Sequence, residues 1–301
     1  MCGRCLNDTT HTSDSVCNCI SHSCRCYSFP TSSCNESSVK QSREVPVIFD
    51  SSSTNNTDVL NNYASLESLK DVYVDDIVLT GTDTIEITKL KMYLDKTFKI
   101  KDLGRLHYFL GMEILDTARG VLISQRKFVL DLLKEYECSN YTSLSSPLDP
   151  NVKLRANEGA SLSDPTYYRK LVGKLNFLTN TRMDIAFSVQ QLSQFMQDPR
   201  LPHLQAAFHL LRYIKQDPSL GVYLSRNFDC TMRAYCDSDW ATCPDSRRSI
   251  SGYLILLGDS PISWKSKKQE TISLSSAEAE YRSLRKVVGE LVYLKFPIRE
   301  R

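Results

Sequence analysis

Charge imbalance is what this 301-residue sequence has least of. Its 37 Lys plus Arg stand against 35 Asp plus Glu, a formal balance of +2. Binding of nucleic acid through overall charge is therefore excluded, and any such partner must be met by local patches. No apolar run approaches the roughly 20 residues that cross a bilayer, and the polar start Met-Cys-Gly-Arg-Cys has no signal-peptide core. The four Asn-X-Ser/Thr sites at Asn7, Asn35, Asn55 and Asn140 are thus expected to stay unused. The expected compartment is cytoplasmic or nuclear, with reduced thiols. Against these absences stands an apolar content of 41%, enough for real cores, on a chain long enough for two domains.

The first seventy residues hold little that could pack. Seven of eleven cysteines (Cys2, Cys5, Cys17, Cys19, Cys24, Cys26 and Cys34) sit there among Ser, Thr and Asn. Only residues 47–49, after Pro46, suggest a short strand. Such a composition buries too little apolar surface to offset chain entropy, so a disordered leader is expected over 1–70. Cys2, Cys5, His11 and Cys17 give Cys-x2-Cys-x5-His-x5-Cys, which approaches a zinc knuckle but is one residue long in two gaps. A zinc-binding module and an unrelated leader both stay open.

Residues 71–81 organise the rest of the chain. Two β-branched runs, 72–74 and 77–79, flank Asp75 and Asp76, which reads as a hairpin with the acids at its tip. The acids are either ordinary turn residues or ligands for a divalent cation that screens them.

Tyr73-Val74-Asp75-Asp76 resembles the Tyr-X-Asp-Asp signature of reverse transcriptases in the form used by copia-type retrotransposons. The resemblance implies metal-ligand duty for Asp75, with Asp76 assisting it or shaping the site. Two-cation phosphoryl transfer requires a further carboxylate, which that family supplies from an earlier strand. No such strand is expected upstream of residue 71.

Downstream, Ile87, Leu90, Tyr93, Leu94 and Phe98 have helical spacing. Residues 98–101 and 106–114 read as strands, with Gly111 marking a bulge or a close backbone approach, and 121–124 returns as a second hairpin. Asp102-Leu103-Gly104 and Tyr108-Phe109-Leu110-Gly111 resemble the family's primer grip. The resemblance places Phe109, Leu110 and Gly111 against a primer backbone. A helix over 125–136 comes next, then an irregular link. Ser163 and Pro165 open a helix carrying Tyr168, Leu171, Val172, Leu175 and Leu178. Asp184 is positioned to cap the next, and a third runs from Pro202 toward Gln216. His203 and His209 read as surface or boundary residues. This stretch resembles the family's connecting segment.

Residues 232–240 alternate, with Met232, Ala234, Cys236, Ser238 and Trp240 on one face and Arg233, Tyr235, Asp237 and Asp239 on the other. Strands are expected at 250–257 and 262–265. Lys265, Lys267 and Lys268 could meet phosphate or blunt an exposed edge. Ser275 and Glu278 fit a capping box, which gives Glu278 a structural task. Glu280 instead shares a stripe with Leu284, Val287 and Leu291. If buried there it must be paired, protonated or metal-bound; otherwise it sits at the stripe's solvated end.

Tyr235-Cys-Asp-Ser-Asp-Trp240, residues 247–253, Ile262-Ser-Trp-Lys-Ser-Lys-Lys-Gln269 and Leu274-Ser-Ser-Ala-Glu-Ala-Glu-Tyr281 resemble the copia-type ribonuclease H domain. Matched by motif, Asp237 and Glu280 take its first two metal positions, and Mg²⁺ or Mn²⁺ is the implied cofactor. The implied partners are an RNA–DNA hybrid or a primer–template, with no membrane and no small-molecule cofactor. The family's later acids have no counterpart before Arg301.

The expected fold is α+β. A partial reverse-transcriptase palm and thumb (71–160) and a helical connection (161–228) lead into an incomplete ribonuclease H-like α/β domain (229–301), behind the leader 1–70. The expected function is that of a reverse transcriptase/ribonuclease H fragment, inactive alone. The alternatives are a non-catalytic nucleic-acid binder and the N-terminal zinc module.

Overall fold

A computed structural model describes residues 25–29, 47–50, 76–81, 83–227 and 229–299, in a mixed α+β architecture. The Cys2, Cys5, His11, Cys17 set, residues 72–74 and Asp75 lie outside these residues. Contacts divide the chain into two compact units: Asn35–Ala118, and Met1–Cys34 together with Arg119–Arg301. The break falls within the stretch that composition groups as 71–160.

In the unit Asn35–Ala118, strands β2 (Val47–Asp50), β3 (Asp76–Leu79) and β4 (Lys101–Arg105) form an antiparallel sheet in the order β3-β2-β4. Helix α1 (Thr84–Phe98) begins where the Asp83 carboxylate accepts from the N–H groups of Ile85 at 2.9 Å and Glu86 at 3.1 Å. Its Leu90, Tyr93, Leu94 and Phe98 pack with Ile77, Leu79 and Ile100, so the helical spacing read from sequence is the buried face. The helix runs through Phe98 and turns at Lys99 (φ 58), which corrects the expected strand at 98–101.

The stretch expected as one strand over 106–114 is itself a hairpin. Strand β5 (Tyr108–Phe109) turns into β6 (Met112–Thr117) through Leu110 at φ 48 and Gly111 at φ 81, and Phe109 pairs with Met112. A two-residue turn with both central residues at positive φ matches the twist of its strands and favours glycine. Gly111 therefore serves a tight turn and not a bulge.

The other unit is built on helices α2 (Arg126–Glu135), α3 (Pro165–Leu178), α4 (Ala186–Ser193) and α5 (Leu201–Ile214). All five residues of the stripe predicted on α3 are buried in the shared core. The cap of α3 is Asp164, which accepts from Thr166 N at 2.8 Å, one residue after the Ser expected there. Asp184 caps nothing. It forms an ion pair with the buried Arg182 at 2.7 Å and accepts from the Tyr213 hydroxyl at 3.0 Å. The guanidinium outcompetes the helix start because a buried Arg must be paired. Strand β7 (Gly120–Ser124) pairs with β8 (Val222–Ser225), a strand that the helical reading of 161–228 does not include.

The last sheet has the order β1-β9-β10-β11, from β1 (Arg25–Phe29), β9 (Met232–Asp239), β10 (Ile250–Leu257) and β11 (Ser260–Lys268). Strand β1 lies in the leader, where no such strand is expected; it pairs antiparallel with β9 from Arg25 opposite Cys236 to Phe29 opposite Met232. Helix α6 (Ser276–Arg299) covers one face, where Val287 meets Met232, Ala234, Cys236 and Ile255. The other face meets the helices: Trp264 Nε1 donates to Thr179 O at 2.8 Å and Lys268 Nζ to Gln194 Oε1 at 2.8 Å.

His203, read as a surface or boundary residue, is fully buried. Its ring stacks on Phe195 at 3.8 Å, Nδ1 accepts from Arg200 N at 2.9 Å, and Nε2 donates to Arg155 O at 2.9 Å. That pattern fixes a neutral imidazole. Burial holds its pKa below the ordinary value and outweighs the Arg155 carbonyl, Asp198 and Asp245, which favour the proton; the Arg200 charge adds to the lowering. Stability should therefore be complete above the free-imidazole pKa of about 6.5 and decline as pH falls below it. Thermal unfolding between pH 7.5 and 5 should show that decline in the wild-type chain. In His203→Gln it should be flattened at a lower overall stability; an unchanged slope would contradict this role.

Candidate functional site

Strand β9 alternates as its sequence does, with Met232, Ala234, Cys236 and Ser238 buried and Arg233, Tyr235, Asp237 and Asp239 half-buried on the opposite side. Antiparallel pairing sets Asp237 opposite Gly252 and Asp239 opposite Ile250. A Cβ on Gly252 would meet nothing nearer than Lys265 O at 4.0 Å, so room is left beside Asp237. Burial first, and then the Asp237 charge, push the Asp239 carboxyl above the usual carboxylate range.

Glu280 lies on α6, the helix that packs on the Met232–Cys236 face of β9, and is half-buried. The helix starts as expected: Ser275 Oγ accepts from Glu278 N at 3.2 Å, while the Glu278 carboxylate accepts from Leu274 N at 2.7 Å. Arg282 engages the same carboxylate at 2.5 Å. One turn later Ser283 Oγ donates to the carbonyl of Asp237 at 3.0 Å, where α6 crosses β9. Glu280 enters that crossing about 4.5 Å along the helix from Ser283. The deepest line of α6 is Ala279, Ser283 and Val287, so Glu280 flanks it, half-buried. The predicted stripe is right to within one residue of rotation.

A residue that pattern reading passes over holds the crossing together. Gln269 is 2% exposed. Its Nε2 donates to Ala279 O at 2.9 Å and to the hydroxyls of Ser251 at 2.9 Å and Ser238 at 3.2 Å. Its Oε1 accepts from Ser273 Oγ at 2.8 Å, and its own N–H donates to Ser249 O at 2.8 Å. One side chain thus ties β9, β10, the loop before α6 and the first turn of α6. Nothing in hydrophobic period marks it; only its place at the end of the 262–269 motif could have.

The three lysines proposed to meet phosphate separate. Lys265 and Lys267 are exposed on the α6 side of β11, whereas Lys268 faces the helices, bound to Gln194. In the other unit, β2 pairs with β3 so that Asp50 lies opposite Asp76. The short strand expected after Pro46 therefore forms, and it carries Asp50 at its end. Leu110, 61% exposed, forms the tip of the β5–β6 hairpin with Gly111, and Phe109 is half-buried at its base.

Among the described residues no three of His, Cys, Asp and Glu gather as a metal-holding group, and no helix is long and apolar enough to cross a membrane. Asp237 and Asp239 share one face of β9, beside the open space at Gly252, where the Asp237 charge raises the Asp239 pKa. Hard oxygen donors of like charge fit a divalent cation such as Mg²⁺ and fit zinc poorly.

A profile of reverse transcriptase (RNA-dependent DNA polymerase) matches residues 49–150. The match begins in β2, upstream of the Tyr-Val-Asp-Asp motif. The Pol polyprotein of transposon RE1 from Arabidopsis thaliana is 42% identical over 223 residues, covering 74% of this chain and 15% of that protein. An uncharacterized mitochondrial protein of the same plant is 39% identical, covering 74% of this chain and 92% of that protein. The chain belongs to the copia-type retrotransposon Pol family. A putative transposon Ty5-1 protein of Saccharomyces cerevisiae is 32% identical, covering 73% of this chain and 72% of that protein. No solved structure matches. The chain spans 15% of the length of the RE1 and RE2 polyproteins.

The Gln269 contacts predict a strong and local effect. Gln269→Leu keeps the volume but leaves Ala279 O, Ser273 Oγ and Ser251 Oγ without their buried partner, so stability should fall by about 2–4 kcal/mol. Both tryptophans of the chain, Trp240 and Trp264, sit in this segment and report its urea unfolding. A midpoint within error of wild type would contradict the tether.

Proposed function

We propose that residues 229–299 are the first part of a ribonuclease H-like domain of Pol, joined to the end of a reverse-transcriptase palm. The single observation that carries this reading is the crossing of α6 over β9, with Glu280 one turn from the Ser283–Asp237 contact. Asp237 and Glu280 would hold Mg²⁺ or Mn²⁺, with Asp239 beside them and Gln269 and Ser283 as positioning residues. A bound divalent cation lowers the pKa of water and screens phosphate charge. The chain's own part is to orient the carboxylates, keep them half-buried where charge interactions are strong, and leave space at Gly252 for a phosphodiester. The partner is an RNA–DNA hybrid in this unit and a primer–template at the other, where Asp75, Asp76 and the tip Phe109-Leu110-Gly111 would act.

We further infer that the 301-residue chain alone performs neither reaction at a useful rate. Two-cation chemistry needs more ligands than one Asp–Glu pair, and losing part of such a unit costs orders of magnitude. A second reading, a non-catalytic binder of nucleic acid, is favoured by the exposed Lys265 and Lys267. Cleavage of a labelled RNA–DNA hybrid and extension of a primer, each with Mg²⁺ or Mn²⁺, test the proposal. At most a trace of cleavage is expected, abolished by Asp237→Asn or Glu280→Gln. Rapid turnover would overturn the inactive reading; trace turnover indifferent to both substitutions would overturn the site assignment.

A further inference from the structure

Helix α6 carries a charge that the acidic site does not use. Lys286 lies six residues after Glu280, about 9 Å along the helix. Its Nζ is buried and has no hydrogen-bond partner among the described residues. An ammonium withdrawn from water without a hydrogen-bond partner is strongly unfavourable.

The groups around it add to that cost. Lys267 and Lys265 both repel it, and Glu270 is the carboxylate in range that attracts it. The next acid on α6, Glu290, is engaged by Ser263 Oγ at 3.1 Å. Register places the two strand lysines on the α6 side. Lys265 pairs with Tyr253 and Lys267 with Ser251, and these pair in turn with Cys236 and Ser238 on the covered face of β9. Both are exposed and long enough to fold over an anion. Burial first, and then Lys267, hold the Lys286 pKa below its ordinary value. A bound phosphate would supply the opposing charge that outweighs both effects.

We propose that Lys286, Lys265 and Lys267 form a phosphate site bridging α6 and β11, which grips the backbone of a nucleic-acid duplex. It deepens the ribonuclease H-like reading, and it assigns a role to a residue that the motifs leave silent. Lysine suits the task as a point charge that needs no bidentate geometry. Lys268, bound to Gln194 on the other face, takes no part.

The test is binding of a short RNA–DNA duplex to the full chain across a salt series, for wild type, Lys286→Met and Lys265→Ala/Lys267→Ala. Each lost phosphate contact should weaken binding about 5–10-fold near 0.1 M salt and reduce the log–log slope by about 0.9. Methionine preserves the buried stem, and the strand variant changes only exposed residues, so at least one variant folds. Inorganic phosphate is the second probe. It should raise the melting temperature of wild type and not of Lys286→Met. If phosphate protects but duplex affinity and slope are unchanged in both variants, the site takes a free anion and the proposal fails. If Lys286→Met is more stable and binds duplex like wild type, Lys286 is a neutral buried lysine and the proposal fails. A chain that cuts no hybrid, yet loses duplex affinity in these variants, supports the phosphate site while removing the nuclease reading.

Discussion

The carboxamide of Gln269 is the constraint on which the C-terminal architecture depends. Strands β9 and β10 are held by their own ladder, but α6 touches them through side chains that could slide. Gln269 removes that freedom by binding both strands through Ser238 and Ser251 and the first turn of α6 through Ala279 O. Buried polar networks of this kind, once every member is satisfied, select one arrangement over near alternatives. A slip of one residue in α6 would break the Gln269–Ala279 bond and the Ser283–Asp237 bond together. The consequence is positional: Glu280 sits next to Ala279, so fixing one fixes the other relative to Asp237.

The same sheet serves two purposes through its pleat. On the α6 side, Met232, Ala234 and Cys236 supply the apolar contact that holds the helix down. On the other side, Asp237 and Asp239 are brought together as residues i and i+2, with the carboxyl of Asp239 destabilised in its charged form. That electrostatic cost is tolerable because the apolar face supports it. Gly252 completes the arrangement by leaving out a side chain opposite Asp237.

What the sequence made legible rests on physical periodicity. The α3 stripe, the α1 face, the β9 alternation and the Ser275–Glu278 cap all depend on local spacing, and each appears as read. What it hid depends on long-range pairing. His203 has an unremarkable neighbourhood in the chain, yet Phe195 and Arg155 close around it only in the fold. Strand β1 carries no strong pattern and exists by pairing with the distant β9. Asp50 meets Asp76 through the β2–β3 register, which no local signal announces. Gln269 and Lys286 fall in the same class, since an isolated Gln or Lys carries no period. The turn at Leu110-Gly111 was visible as a glycine but not as a turn, because leucine rarely occupies positive φ.

The central proposal is that Asp237 and Glu280 together hold one divalent cation. Mn²⁺ binding followed by electron paramagnetic resonance on the full chain, with Asp237→Asn and Glu280→Gln as comparisons, tests it most directly. The account predicts one Mn²⁺ held by wild type that either substitution releases, with the fold retained by circular dichroism. Equal Mn²⁺ binding in wild type and both variants would contradict it.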